Sequence, residues 1–285
     1  MGWGAPGFPR PRRLGGGPGD RGALAGAGLR FFLDSFEEWR IASGIRRFDL
    51  IGHSYGGFLS GHYTASRHGG AVRRLILMSS WGVPAMRPPA ERGSGAGFSL
   101  RAPPVLSCIA GALLSLNLSP LSPVRAVNAV STKSGSGLIR AAIRRRLGRA
   151  IGDGEEMRLV SDYIYAINVG GAGGVSSIEQ SFSTFMVPAI DRWSSAAGAD
   201  EIGFYAVCPL EEALRSLRAS VPVSFIYGDR DWMRSRGADR VIRELGADVH
   251  VIANSGHLMY VENAEHFNSV VASILERADE EAVRL

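Results

Sequence analysis

Apolar positions along the 285-residue chain fall into two rhythms, short continuous runs and stripes at helical spacing. From Phe32 to Ile45, Phe32, Leu33, Phe36, Trp39 and Ile41 recur among acidic residues as on one helix face, and Gly44 supplies a stop. Phe48-Asp49-Leu50-Ile51 then reads as a strand, Gly57 to His68 as a helix, and Leu75-Ile76-Leu77-Met78 as a second strand. The same rhythm returns near the end. Val221 to Tyr227 reads as a strand, Arg234 to Leu245 as a helix, and Val249-His250-Val251-Ile252 as a strand. Ala264 to Arg277 makes a last helix with Phe267, Val270, Val271, Ile274 and Leu275 on its apolar side. Alternation of strand and helix predicts an α/β fold with a parallel sheet and right-handed crossovers.

Two stretches lack that rhythm. Residues 1–30 are dense in Gly, Pro and Arg and are expected to be a loop-rich or disordered arm. Residues 84–205 are punctuated by proline and helical in character, with no strand rhythm, and read as a helical cap inserted into the sheet. The core is then expected from residues 31–83 and 206–285.

Composition changes this picture little. With 45% hydrophobic and 21% charged residues the chain is globular rather than disordered or fibrous. Its formal charge of +5 comes from arginine, Lys133 being the sole lysine, and favours anionic partners without bearing on fold. Cys108 and Cys208 lie far apart with no CxxC spacing and read as reduced thiols of an intracellular protein, a single disulfide being the alternative. No run of about 18 apolar residues is present to span a bilayer.

The chemistry sits at the ends of the strands. Gly52-His53-Ser54-Tyr55-Gly56 is a G-x-S-x-G motif between a predicted strand and a predicted helix, where a sharp turn exposes the serine and the flanking glycines let the backbone pass. A serine hydroxyl needs a base within hydrogen-bond reach. Partners should follow in the order acid, then histidine. Gly228-Asp229-Arg230-Asp231 ends the strand at Tyr227, and Asp231 is the preferred acid, with Asp229 as its rival and a turn-holding residue otherwise. His257 follows the next strand on the same sheet edge and is the candidate base. His53, His62, His68, His250 and His266 are dispersed over the elbow, helices and a strand, and no set has metal-ligand spacing, so neither metal nor cofactor is expected. Tyr55 would offer its N–H to the oxyanion. The second donor normally comes from the loop after the third strand, for which no segment is found.

These motifs resemble the α/β-hydrolase domain-containing protein 4/5 family. The resemblance rests on Phe48 to Leu59, Leu75 to Pro84, Asp162-Tyr163-Ile164-Tyr165, Gly256 to Val261 and, most specifically, Tyr227-Gly228-Asp229-Arg230-Asp231-Trp232-Met233. It implies an α/β-hydrolase fold and a serine hydrolase that cleaves acyl esters of phospholipids or related lipids. It also implies two alternatives, a lysophosphatidic acid acyltransferase and a non-catalytic lipid-droplet or lipase-binding protein. A lipase coactivator of that family carries asparagine at the nucleophile position, whereas Ser54 is retained here. The family's acyltransferase signature, H-x4-D, reads His257 to Glu262 with glutamate in last place, and Glu262 otherwise caps the last helix. Met1-Gly2-Trp3-Gly4 resembles the turn after the family's fourth strand, so the first strands of the sheet are expected to be missing.

A lipid substrate calls for an apolar lid and a charged contact with headgroups. Pro104 to Leu114 fits a lid or a buried cap helix, and Arg140 to Arg149, including Arg144, Arg145 and Arg146, fits either a phosphate-binding cluster or a solvated helix face. The expected partners are an acyl lipid substrate and an anionic membrane or lipid-droplet surface, with no nucleic acid, for a monomer in the cytoplasm or at a membrane, lipid droplet or mitochondrion.

Overall fold

A computed structural model describes residues 21–66, 68–86, 98–102, 122–166, 186–191, 200–217 and 221–283. Four parallel strands form the central sheet: β1 (Phe48–His53), β2 (Val72–Met78), β6 (Val223–Gly228) and β7 (Asp248–Ile252), side by side in that order. Each predicted strand is present: three are longer by one to three residues, and the one expected at Val221 to Tyr227 runs from Val223 to Gly228. The near-continuous apolar runs of β2 and β6, the two inner strands, follow from burial on both faces, while β1 and β7 at the edges keep exposed positions such as Ile51 and Val249. Leu75 and Leu77 of β2 join Phe225 and Tyr227 of β6 in one core cluster, while Ile76 and Met78 join Ile226 and Ile252 in another on the opposite face.

Helices cover both faces. On one side lie α1 (Arg21–Ala42), α2 (Tyr55–Ala65), α6 (Leu210–Arg215) and α7 (Arg236–Leu245), bringing Ala25, Phe58, Leu210, Leu214, Val241 and Ile242 into the first cluster. On the other, α9 (Ala264–Val283) contributes Ile274, Phe267, Val270 and Val271 to the second, with the short α8 (Met259–Glu262) adding Met259. Gly44 (φ 69°) closes α1 as expected, its N–H bonded to the Ile41 carbonyl. The elbow helix ends at Ala65, so His68 lies beyond it and pairs with Asp34 of α1 at 2.9 Å.

Two expectations need correction. The first ten residues of α1, from Arg21, fall inside the segment read as an arm. Gly22, Gly26 and Gly28 each cost the helix about 1 kcal/mol relative to alanine, but the Ala25–Leu29–Phe32 stripe packs onto the core and outweighs local propensity. The second concerns the insertion. It holds the expected helices, α3 (Ser122–Val130), α4 (Thr132–Ile151) and α5 (Glu155–Tyr165), but also three antiparallel strands, β3 (Phe98–Ala102), β4 (Met186–Asp191) and β5 (Asp200–Ala206), ordered β3-β5-β4. Pro188 hid β4 by reading as a breaker, yet proline is tolerated on an edge strand, where β4 lies. The segment Pro104 to Leu114, Cys108 included, lies outside the described residues; Cys208 is a free thiol.

The insertion leaves and returns at one place. Leu210 N–H bonds to the Gly82 carbonyl at 2.8 Å, Glu211 N–H to that of Val83 at 2.9 Å, and Ala85 N–H to Glu211 Oε2 at 2.9 Å. From there α4 reaches over to pack against α8, the short helix that follows His257.

Candidate active site

Ser54 occupies the single residue between β1 and α2, with φ 54° and ψ −117°. A non-glycine residue at positive φ costs on the order of 1–3 kcal/mol and persists only where its surroundings dictate it. Here they do. Ser54 N–H bonds to the Met78 carbonyl at 2.9 Å, and its own carbonyl accepts from Phe58 N–H at 3.2 Å and Trp81 N–H at 3.1 Å, tying the turn to the end of β2.

The glycines divide the work differently from the motif. A Cβ on Gly52 would lie 2.4 Å from Ser60 Oγ and 2.6 Å from the Gly56 carbonyl, and one on Gly57 would lie 2.7 Å from Ser80 Oγ. At Gly56 it would meet nothing within 4 Å. Gly57, outside G-x-S-x-G, therefore supplies the second close approach.

The three preferred residues come together. His257 Nε2 lies 3.1 Å from Ser54 Oγ, and His257 Nδ1 lies 3.3 Å from Asp231 Oδ1. The Asp231 side chain is fully buried and that of His257 is 13% exposed. Burial pushes the Asp231 carboxyl up, but hydrogen bonds from His257, Ser79 Oγ and Met233 N–H outweigh it and hold the group below its ordinary value. Asp231 is thus an anion at neutral pH facing the Nδ1 edge of His257. Asp229 takes the other role. Its oxygens accept from Asn254 N–H at 2.8 Å and Ser255 N–H at 2.9 Å, joining the turn after β6 to the one after β7 and away from His257. Tyr55 is the first residue of α2.

Four neighbours of this line were not singled out as supports from sequence. Ser79, at the end of β2 with φ 44°, donates to Asp231. Trp232 lays its ring 4.7 Å from that of His257, and His53 places its ring 4.7 Å from the same imidazole. Burial lowers the His53 pKa, so it is neutral at pH 7, and its Nε2 lies 2.8 Å from the His257 carbonyl. Glu262 accepts from Gly256 and Leu258 N–H, in the turn before α8, instead of capping the last helix. The signal available was positional, since strand ends that are adjacent in a parallel sheet must share an edge.

The chain matches the family described as alpha/beta hydrolase fold over residues 13–264. Over 247 residues it is 30% identical to a 1-acylglycerol-3-phosphate O-acyltransferase of Arabidopsis thaliana, covering 85% of this chain and 52% of that protein. Over 262 residues it is 29% identical to a human (Lyso)-N-acylphosphatidylethanolamine lipase, covering 87% of this chain and 64% of that one. The chain therefore spans between about half and two thirds of these relatives. Among solved structures, a bromoperoxidase from Bacillus anthracis superposes with a TM-score of 0.54 at 12% identity, covering 87% of this chain and 74% of that one, a likeness of fold alone.

Proposed function

Because the chain belongs to the α/β-hydrolase fold family, we propose that it is a serine hydrolase cleaving acyl ester bonds of phospholipids or related lipids, with Ser54, His257 and Asp231 as catalytic residues. The observation that carries this reading is the unbroken line from Ser54 Oγ through both imidazole nitrogens to a buried carboxylate. Ser54 Oγ attacks the ester carbonyl while His257 Nε2 takes its proton, and Asp231 holds the ring and stabilises its charged form. In this reading the backbone N–H of Tyr55, the first residue of α2, donates to the developing oxyanion. Collapse of the tetrahedral intermediate breaks the C–O bond to the leaving alcohol, which takes the proton from His257. Water then attacks the acyl-serine, giving up its proton to His257, and the free acid leaves as Ser54 recovers that proton. The lipid class is supported by the two lipid-acting relatives.

A fluorophosphonate probe tests the nucleophile. Labelling of Ser54 and ester turnover are expected in the wild type, and Ser54→Ala is expected to abolish labelling and lower kcat by about 10⁴-fold or more. Labelling that survives Ser54→Ala would refute the assignment. A second reading, acyl transfer through the same acyl-serine, is favoured by the Arabidopsis relative's activity. Supplying labelled acyl-CoA with lysophosphatidic acid separates the two, since hydrolysis places the label in free fatty acid and transfer places it in phosphatidic acid.

A further inference from the structure

Building on the serine hydrolase reading, we propose that Glu262 and His53 are positioning residues that grip the backbone on both sides of His257 and hold its ring in line with Ser54. Glu262 acts in this way and not as a participant in acyl transfer.

The two oxygens of Glu262 are divided between the peptides that flank the histidine. Oε2 accepts from Gly256 N–H at 3.0 Å and Oε1 from Leu258 N–H at 3.2 Å, so one carboxylate straddles His257. Hydrogen bonds to an ionised acceptor are roughly twice as strong as neutral ones. The residue before the histidine is shaped for this approach, since a Cβ on Gly256 would lie 3.3 and 3.5 Å from the two carboxylate oxygens. Leu258 is held from its other side too, its carbonyl accepting from Val261 N–H at 2.8 Å and Glu262 N–H at 3.0 Å. The carboxylate and the short α8 thus close one ring of bonds around the residue that follows His257.

A further polar handle is the His257 carbonyl, and His53 takes it at 2.8 Å through Nε2. A neutral imidazole can be the Nε2–H tautomer, so His53 donates there. Its ring lies 4.7 Å from that of His257 and 5.1 Å from that of Tyr260. His53 immediately precedes Ser54, so this bond couples the nucleophile's turn directly to the base's loop. The peptide N–H before His257, its carbonyl and the N–H after it are then each held by a side chain. A displacement of about 1 Å at a reacting group can cost about 10²-fold in rate, which gives such bracing catalytic value.

Side-chain length separates bracing from transfer chemistry. An aspartate at position 262 would complete the H-x4-D signature, but it is shorter by one methylene and would lose at least one of the two N–H bonds. Glu262→Asp, Glu262→Gln and Glu262→Ala should be compared in the full chain with His53→Ala, using kcat and KM on a soluble p-nitrophenyl ester and transfer from acyl-CoA to lysophosphatidic acid. Thermal midpoint and amide hydrogen exchange over residues 255–260 complete the set. Glu262→Ala is expected to lower kcat about 10–100-fold with KM within about twofold. Glu262→Gln should recover part of the loss, and Glu262→Asp should give no gain in transfer. Exchange should rise locally in residues 255–260 in Glu262→Ala and His53→Ala. Three results would overturn the proposal: full kcat with unchanged local exchange in Glu262→Ala, a kcat loss that tracks the thermal midpoint with glutamine no better than alanine, or increased transfer in Glu262→Asp. Absence of Ser54-dependent turnover in the wild type, with exchange still rising in these variants, would defeat the hydrolase reading alone and leave the bracing in place.

Discussion

Two aspartates two residues apart receive opposite assignments because one is buried against an imidazole and the other accepts from a neighbouring turn. Asp231 has its side chain fully buried and Asp229 has 40% of its side chain exposed. Asp231→Asn would remove the charge that opposes the imidazolium and is expected to lower kcat by about 10⁴-fold while labelled protein still folds. Asp229→Asn should leave kcat within about tenfold and lower the unfolding midpoint instead, because it weakens the bond between the turns after β6 and β7. Steady-state kinetics beside thermal melts on the pair check this, and equal losses of kcat would mean that the acid is misassigned. Ser79 belongs to the same calculation. Its hydroxyl helps to keep Asp231 ionised from a strained backbone position.

Elements set how much of this could be read from the chain. The four strands and α2 were legible because the strands of this parallel sheet are short apolar runs, deepest in the buried β2 and β6, and the site followed from their order. The start of α1 was not, since glycine-rich local propensity is overridden by packing only visible once Ala25 and Leu29 meet the sheet. Nor were β3 to β5: Phe98 to Ala102 alternates over only five residues, β4 carries Pro188 and β5 carries Gly203, too little in each for a strand signal. The glycine assignment at the elbow was half legible, and it leads to a contrast. Gly57→Ala forces a Cβ to 2.7 Å from Ser80 Oγ and 3.0 Å from the Gly52 carbonyl, and is expected to destabilise by about 1–3 kcal/mol as other overpacked sites do. Gly56→Ala places a methyl group in open space within a helix and should stabilise by up to about 1 kcal/mol. Chemical denaturation of both variants is the check. A destabilised Gly56→Ala would show that the glycine after Tyr55 has a demand of its own.

At the scale of the molecule, the described residues form a sheet and an insertion that must be anchored to it. The anchor is Glu211, whose side chain is 2% exposed and which pairs with Arg240 and Arg215 at 2.8 Å each. Burial pushes its pKa up, but hydrogen bonds from Arg240 and the Ala85 N–H, with Arg215 beside it, bring it down from 4.5 to about 2. A folded pKa below the unfolded one gives stability that is complete above about pH 4.5 and disappears as pH falls toward 2. Glu211→Gln should therefore cost on the order of 3 kcal/mol at pH 7. Its midpoint should converge on the wild type's as melts are run from pH 6 to 3, and a gap independent of pH would refute the ion-pair origin. On the insertion, α4 turns a charged face outward. Gly135, Ile139, Ile143 and Leu147 recur every four residues as its inner face, which leaves Arg140, Arg144 and Arg145 exposed on a helix that packs beside α8. Arg140 and Arg144 make exposed ion pairs with Asp162 and Asp153, worth little in water. Arg145 has no ion pair among the described residues. Among those residues no helix is long and apolar enough to cross a membrane. Each arginine near an anionic bilayer contributes about 1 kcal/mol, screened within a Debye length. Arg144→Glu combined with Arg145→Glu reverses two such contributions. Co-sedimentation with vesicles containing phosphatidylserine should fall by about 10²-fold or more in partition coefficient at low salt, and by less at high salt. Binding to phosphatidylcholine vesicles should be unchanged. Equal losses on both vesicle types would mean that α4 is only a solvated face, and substrate would then have to be recruited through contacts nearer Ser54.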